Sequence, residues 1–140
     1  MNVALKLHTN GTNEIIDMPK KVRFNVYAKT IGCEWIEIVR PVNLPKGIVL
    51  VCDEEAKIRT KHPIINFQAS WAYNMQEHGE PICGDCIVMK EVMGDEGAEL
   101  ESLSFGEAYE LRKWFDTITP IAASILGYKL RMKKMLWKSE

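Results

Sequence analysis

Cys83-Gly84-Asp85-Cys86 is the group of residues best equipped for chemistry, because Cys-x-x-Cys can present two thiolates to one tetrahedral metal ion or form one redox couple. A zinc site needs two further ligands. The sequence offers Cys33, Cys52, His62 and His78, none of them in a second paired knuckle. The competing reading places Gly84-Asp85 in a turn and lets Cys86 enter a strand as a small hydrophobe. That reading is preferred, so no cofactor is expected; if a metal is bound, Cys83 and Cys86 hold it. A redox pair is disfavoured, since the motif precedes a strand and does not open a helix after one.

Two other groups have the residue types for binding. Asp53, Glu54 and Glu55, with Glu34 and Glu37 in the neighbouring strand, could gather carboxylates for a divalent ion or a shared proton. Glu34 and Glu37 are three apart, however, and along a strand they face opposite sides. Lys57, Arg59, Lys61 and His62 could receive a phosphate, with Trp71 or Tyr73 available to stack on a base. Solvated strand ends and charged connections have the same composition. No Gly-rich phosphate loop, nucleophile elbow or His-Glu-x-x-His pattern occurs, which points away from an enzyme. His8 and His78 stand alone and are expected to be ordinary surface residues.

The elements that must position these groups can be read from periodicity. Val3, Leu5 and Leu7 alternate with polar residues, Asn10-Gly11 signals a hairpin turn, and Ile15, Ile16 and Met18 follow. Pro19 can open a helix whose apolar face carries Val22, Val26, Tyr27 and Ile31, ending at Gly32. Ile36 to Val39 and the β-branched run Ile48 to Cys52 predict a second strand pair, the latter central. A short helix through Asn66, Ala69, Ala72 and Tyr73 is expected after Pro63, and Cys86 to Met89 is another buried strand. Gly94 to Gly97 should turn it into a segment around Leu100 to Leu103. Ser104 and Glu107 have the spacing of a capping box, opening a helix with Ala108, Leu111, Phe115 and Ile118 on one face. Thr119-Pro120 is expected to break that helix and restart a final one to about Trp137. The result is an α+β fold: a mainly antiparallel sheet of about five strands packed with helices, and a C-terminal helical extension. The α+β domain is placed at 1–118 and the amphipathic basic helix at 119–140.

The 140 residues are enough for one core without metal or disulfide staples, so the four cysteines are expected to be free thiols. Eighteen Lys and Arg against 19 Asp and Glu exclude a uniformly basic nucleic-acid binder. No apolar run is long enough for a membrane span, and the N-terminal residues turn polar too soon for a signal peptide, so a cytoplasmic protein is expected. The neutral total hides a polarity. Asp85 to Asp116 holds nine acids against Lys90, Arg112 and Lys113, whereas Lys129, Arg131, Lys133, Lys134 and Lys138 oppose only Glu140. Ile121, Ile125, Tyr128, Met132 and Met135 recur at helical spacing, with Leu126, Leu130 and Trp137 widening the apolar face. Such a helix can dock on its own core, join a second copy, or reach an anionic membrane surface or nucleic-acid phosphates.

Several blocks together carry a family resemblance. Gly32 to Val39, then Val49 to Lys57, then Asn66 with Ala69-Ser70, and Gly84-Asp85-Cys86-Ile87-Val88 follow one another in the order of a known pattern. That pattern runs Gly-x-x-Ile-Glu-x-Val, an apolar strand ending in Asp/Asn-Glu-x-Gly/Ala-Lys, an Asn-x-x-Ala-Ser/Thr helix, and Gly-Asp before a strand. The chain resembles the small phage- and mobile-element-associated family known as Domain of Unknown Function thirty-eight forty-six over most of Val3 to Trp114. The resemblance implies a phage, plasmid or bacterial accessory protein and brings no established activity. It makes Glu37, Asp53, Glu54, Asn66, Ser70 and Asp85 the matched polar positions of a shared site, or structural caps. The family pattern needs no cysteines around Gly84-Asp85, which weakens the zinc reading.

The expectation is therefore a non-enzymatic phage or mobile-element accessory protein, acting in the host cytoplasm, that binds a host protein or small ligand and so counters bacterial immunity. Its binding residues would be Glu37, Asp53, Glu54, Lys57, Arg59, Asn66, Ser70 and Asp85, with Lys129, Arg131, Lys133 and Lys134 on the final helix. That helix would also support a homo-oligomer. Two alternatives stand beside this reading: nucleic-acid binding through the basic helix, and a metal-dependent enzyme built on Asp53, Glu54 and Asp85 or on Cys83 and Cys86.

Overall fold

The computed structural model of the chain describes residues 2–21, 24–58, 61–74 and 81–138; side chains are described except at Phe24, Asn25, Leu126 and from Tyr128 on. Arg59, His78 and Val22, singled out by sequence, lie outside the described residues. The chain forms β1 (Asn2–Leu7), β2 (Asn13–Asp17), α1 (Phe24–Ile31), β3 (Ile36–Val39), β4 (Ile48–Asp53), α2 (Phe67–Ala72), β5 (Cys86–Gly94), β6 (Gly97–Glu101), β7 (Leu103–Ser104) and α3 (Phe105–Lys138).

All strand pairs are antiparallel, and the sheet runs β2-β1-β5-β4-β3, with β6 added to β5 and β7 to β1. The α+β architecture and its antiparallel sheet are as the sequence predicts. The Leu100 to Leu103 segment resolves into two short strands that extend the expected five.

Both faces of the central strands are covered, which accounts for the unbroken apolar runs of β4 and β5. On one face Val3, Leu5, Leu7, Leu50, Cys52, Cys86 and Val88 pack against Ala69 and Ala72 of α2 and Ala108, Leu111 and Phe115 of α3. On the other, Ala4, Val49, Val51, Ile87 and Met89 pack against Tyr27 of α1 and Met18. A strand buried on both sides cannot alternate apolar with polar residues, since each side chain enters a core.

Turn chemistry fixes the register at one end of the sheet. Gly11 has φ +90, a left-handed conformation that costs glycine nothing, and its N–H donates to the His8 carbonyl at 3.1 Å to close the β1–β2 hairpin. Asn10 Oδ1 accepts from the Thr12 N–H and hydroxyl.

Two helix boundaries differ from the sequence expectation. α1 begins at Phe24, well after Pro19, because Lys21 is held in an extended bridge opposite Glu101 and Met18 N donates to the Asn2 carbonyl. α3 does not break at Thr119-Pro120; it is one helix of 34 residues with Pro120 inside it. An interior proline removes one backbone bond and costs about 3 kcal/mol. Phe115 before it and Ala122 after it are both buried on the same face, so breaking the helix would expose that face. Pro120 itself is exposed, and the Thr119 hydroxyl donates to the Phe115 carbonyl at 2.6 Å, satisfying a neighbouring acceptor. The capping box is present as expected: Ser104 Oγ accepts from Glu107 N at 3.1 Å, and Glu107 Oε1 accepts from Ser104 N at 2.9 Å.

Candidate functional site

The end of the sheet where β1 and β4 finish and β5 begins is the place where the chemistry-bearing residues meet. Leu7 pairs with Cys86 and Val51 with Ile87, so the β1–β2 turn, the turn after Asp53 and the Gly84-Asp85 turn share this end. Glu37 sits opposite Cys52 and Asp53 opposite Ile36, which puts Glu37 and the Cys52 side chain on one face.

A cleft of about 270 Å³ opens there. Three separate segments wall it: β3 with Glu37 and Val39, the end of β4 and its turn with Asp53, Glu54 and Lys57, and Tyr73 with Pro81 to Cys83 beyond α2. Asp53 and Ala56 also wall a neighbouring cleft of about 370 Å³ that contains Asp85, His62 and Gly84. Sequence reasoning named Glu37, Asp53, Glu54, Lys57, Cys83 and Asp85 without knowing that they share one sheet end. The described lining of the first cleft carries three carboxylates and one ammonium over a floor of Val39, Ile82 and Cys52. It can receive a small molecule whose cationic group faces the carboxylates and whose anionic group faces Lys57.

Asn66 and Ser70 are not in the cleft; they hold its frame. Asn66 is fully buried and caps α2, its Oδ1 accepting from Ala69 N at 3.1 Å. Its Nδ2 donates to the carbonyls of Leu7 and Gly84, each at 3.0 Å. Ser70 Oγ accepts from Ile82 N at 2.8 Å and donates to the Ile82 carbonyl at 3.2 Å. These two side chains tie α2 to β1 and to the 82–84 segment, Asn66 as the helix cap and Ser70 as a brace from within the helix. Asp85 is likewise a brace: Oδ1 accepts from Thr9 N at 3.0 Å and Oδ2 lies 3.4 Å from His8 Nδ1.

The Cys-x-x-Cys pair is separated by Gly84 at φ +82, a conformation that suits glycine and turns the chain from the cleft wall into β5. Cys83 is buried at the cleft wall, and burial raises its thiol, against a smaller lowering effect of the Lys57 charge. Cys86 is fully buried; a hydrogen bond with the Cys52 thiol, then burial and nearby negative charge, push it well above the usual cysteine range. Cys86 Sγ also donates to the Gly84 carbonyl at 3.6 Å. These surroundings favour thiols, whereas a metal ligand or nucleophile must be a thiolate. Among the described residues no three His, Cys, Asp or Glu side chains are grouped so as to hold a metal ion. None of the four cysteines is in a disulfide.

Several site residues escaped sequence reasoning. His8, expected to stand alone, joins Glu14 at 2.9 Å and Asp85 on its other nitrogen. Gln68 is fully buried and donates from Nε2 to the His8 and Thr12 carbonyls, at 3.0 and 2.8 Å. Only its place between Asn66 and Ser70 signalled a role. Val39, Pro81 and Ile82 form the apolar part of the cleft and carry no chemical signature in sequence. Arg59 lies outside the described residues, and Lys129, Arg131, Lys133 and Lys134 lie on the described backbone of α3 but outside the described side chains. No described helix is long and apolar enough to cross a membrane.

The family model described as domain of unknown function (DUF3846) matches residues 1–116, and the chain belongs to that family. No curated protein and no solved structure matches it significantly. The matched span contains the whole cleft and ends inside α3, four residues before Pro120.

Proposed function

We propose that this member of the family is a non-enzymatic binding protein whose cleft holds a small zwitterionic or amine-bearing molecule. The observation that carries the reading is the convergence of Glu37, Asp53, Glu54, Lys57 and Tyr73, from three distant segments, on one concavity with an apolar floor. Binding is favoured over catalysis because the nucleophile nearest the cleft, Cys83, is held as a thiol by burial. The buried Ser70 supports the same reading, since its two bonds to Ile82 fix that part of the cleft wall before any ligand arrives, and Asn66 holds Gly84 next to it.

The resemblance to phage- and mobile-element proteins gives such binding a use: an accessory protein in the host cytoplasm that withholds a host molecule on which immunity depends. Thermal-shift screening of the full chain against amino acids, polyamines and their phosphorylated derivatives tests the cleft. A stabilising compound should lose its effect in Glu37→Gln with Asp53→Asn, while the variant keeps its folded-state spectrum. If every hit stabilises that variant equally, the cleft is not the site.

A further inference from the structure

We propose that α3 pairs with its counterpart in a second copy of this chain, the segment after Ala122 lying in an apolar groove of the partner. The inference is independent of the cleft. The groove, about 480 Å³, runs between the 43–48 connection and the first half of α3; Leu44, Pro45, Ile48, Leu111 and Trp114 line it, with Glu107 and Glu110 on its rim.

The occupant follows from the helix itself. Ala122 is 0% exposed and is the last buried residue described on α3, whereas Ile121 and Ile125 are 55% and 39% exposed and lie one turn apart. Tyr128, Met132 and Met135 continue that spacing in the sequence. From Ala123 the helix runs on to Lys138, about 24 Å at about 1.5 Å per residue. Because α3 is continuous through Pro120, its end cannot fold back: residues around Met132 lie roughly 30 Å along the axis from the turn carrying Glu110. A copy's own groove is out of reach, and a partner's is not.

Charge selects the arrangement. The exposed rim carboxylate is Glu110, 3.6 Å from Lys113, while Glu107 is already held by Ser104 N and Lys90; the protruding segment is basic, with Lys129, Arg131, Lys133, Lys134 and Lys138. An antiparallel pair crossing near Ala122 sets positions 133 and 134 beside Glu110 of the second copy. A two-fold crossing uses each contact twice. Each helical segment covers a strip about 24 Å by 10 Å, so the two together bury roughly 1,000 Å², the lower bound for a specific interface.

Sedimentation velocity of the full chain at micromolar concentration tests this. A dimer is expected, and Ile125→Glu or Met132→Glu should give monomer with an unchanged circular dichroism spectrum. Glu110→Lys alone, and Lys133→Glu with Lys134→Glu, should each raise the dissociation constant about tenfold, and the three together should recover at least half of that loss. A monomeric wild-type chain overturns the proposal. So do charge variants whose combination is no better than either part, and so does a monomer that retains a DNA duplex in a salt-sensitive manner, which would assign the basic segment to phosphates.

Discussion

Asn66→Ala is the sharpest test of how the frame of the cleft is held. Asn66 makes three side-chain hydrogen bonds, one accepted from Ala69 N and two donated to the Leu7 and Gly84 carbonyls, the last of them part-buried. Loss of a helix N-cap costs about 1 kcal/mol. Each lost bond to a carbonyl costs up to a further ~1 kcal/mol, less at Gly84, whose carbonyl keeps the Cys86 thiol as a donor, so the truncation should destabilise the chain by about 2–3 kcal/mol and lower Tm by roughly 10 °C. Asn66→Asp separates the roles, because it keeps the cap acceptor and replaces the donor with an oxygen facing two carbonyl oxygens. Its carboxyl should be held above the usual carboxylate range in the folded state. A group raised on folding stabilises below its unfolded pKa and loses that contribution as pH rises, so Asn66→Asp, whose neutral carboxyl has one O–H for the two carbonyls, should come within ~1 kcal/mol of wild type below about pH 4 and fall behind Asn66→Ala at neutral pH. Urea unfolding at several pH values reads both effects. A cost for Asn66→Ala below about 1 kcal/mol, or a pH-independent Asn66→Asp, would refute the three-bond account.

Three further outcomes follow from side chains already described. Burial pushes the Tyr27 phenol to about 12, and its hydroxyl is buried with no hydrogen-bond partner among the described residues, so wild type should lose stability as pH climbs past the usual phenol value toward 12. Tyr27→Phe should be at least as stable at neutral pH and should lack that alkaline loss in unfolding titrations. Pro120→Ala should restore the bond to the Asp116 carbonyl and stabilise the chain by about 1–3 kcal/mol, with slower amide exchange around that turn. Ser104→Ala should cost about 1 kcal/mol through the lost cap. The Ser104 backbone N–H, and then Lys90, hold the Glu107 carboxyl below its ordinary value, so that stability is present at neutral pH and lost as acid protonates Glu107. Glu107→Gln should flatten this part of the acid unfolding curve.

Much of the fold was legible because its signals are local. Asn10-Gly11, the Ser104/Glu107 box and the β-branched run Ile48 to Cys52 each encode their own conformation through turn sterics, donor satisfaction or two-sided burial. The errors were cases where distant packing overrode a local rule. Pro120 carries a strong break signal, yet burial of Phe115 and Ala122 on either side keeps the helix whole. Pro19 can start a helix, but the Lys21 bridge to Glu101 holds the chain extended.

The site divided along the same line. Polar residues near strand ends, such as Asp53, Glu54 and Asp85, could be picked out by type and position. Whether they line a cleft or brace a turn depends on contacts as remote as Thr9 with Asp85, which no spacing reveals. Asn66 and Ser70 carried the family pattern and proved to be buried braces, because an amide and a hydroxyl can each satisfy backbone groups from separate segments.

The central claim is that the cleft of Glu37, Asp53, Glu54 and Lys57 binds a small charged molecule without transforming it. Isothermal titration of the full chain with the best stabilising compound, followed by mass analysis of that compound after incubation, addresses both halves. The account predicts one saturable site per chain, loss of at least tenfold in affinity in Glu37→Gln with Asp53→Asn, and a compound recovered unchanged. Recovery of a converted product, or undiminished binding in that variant, would contradict it.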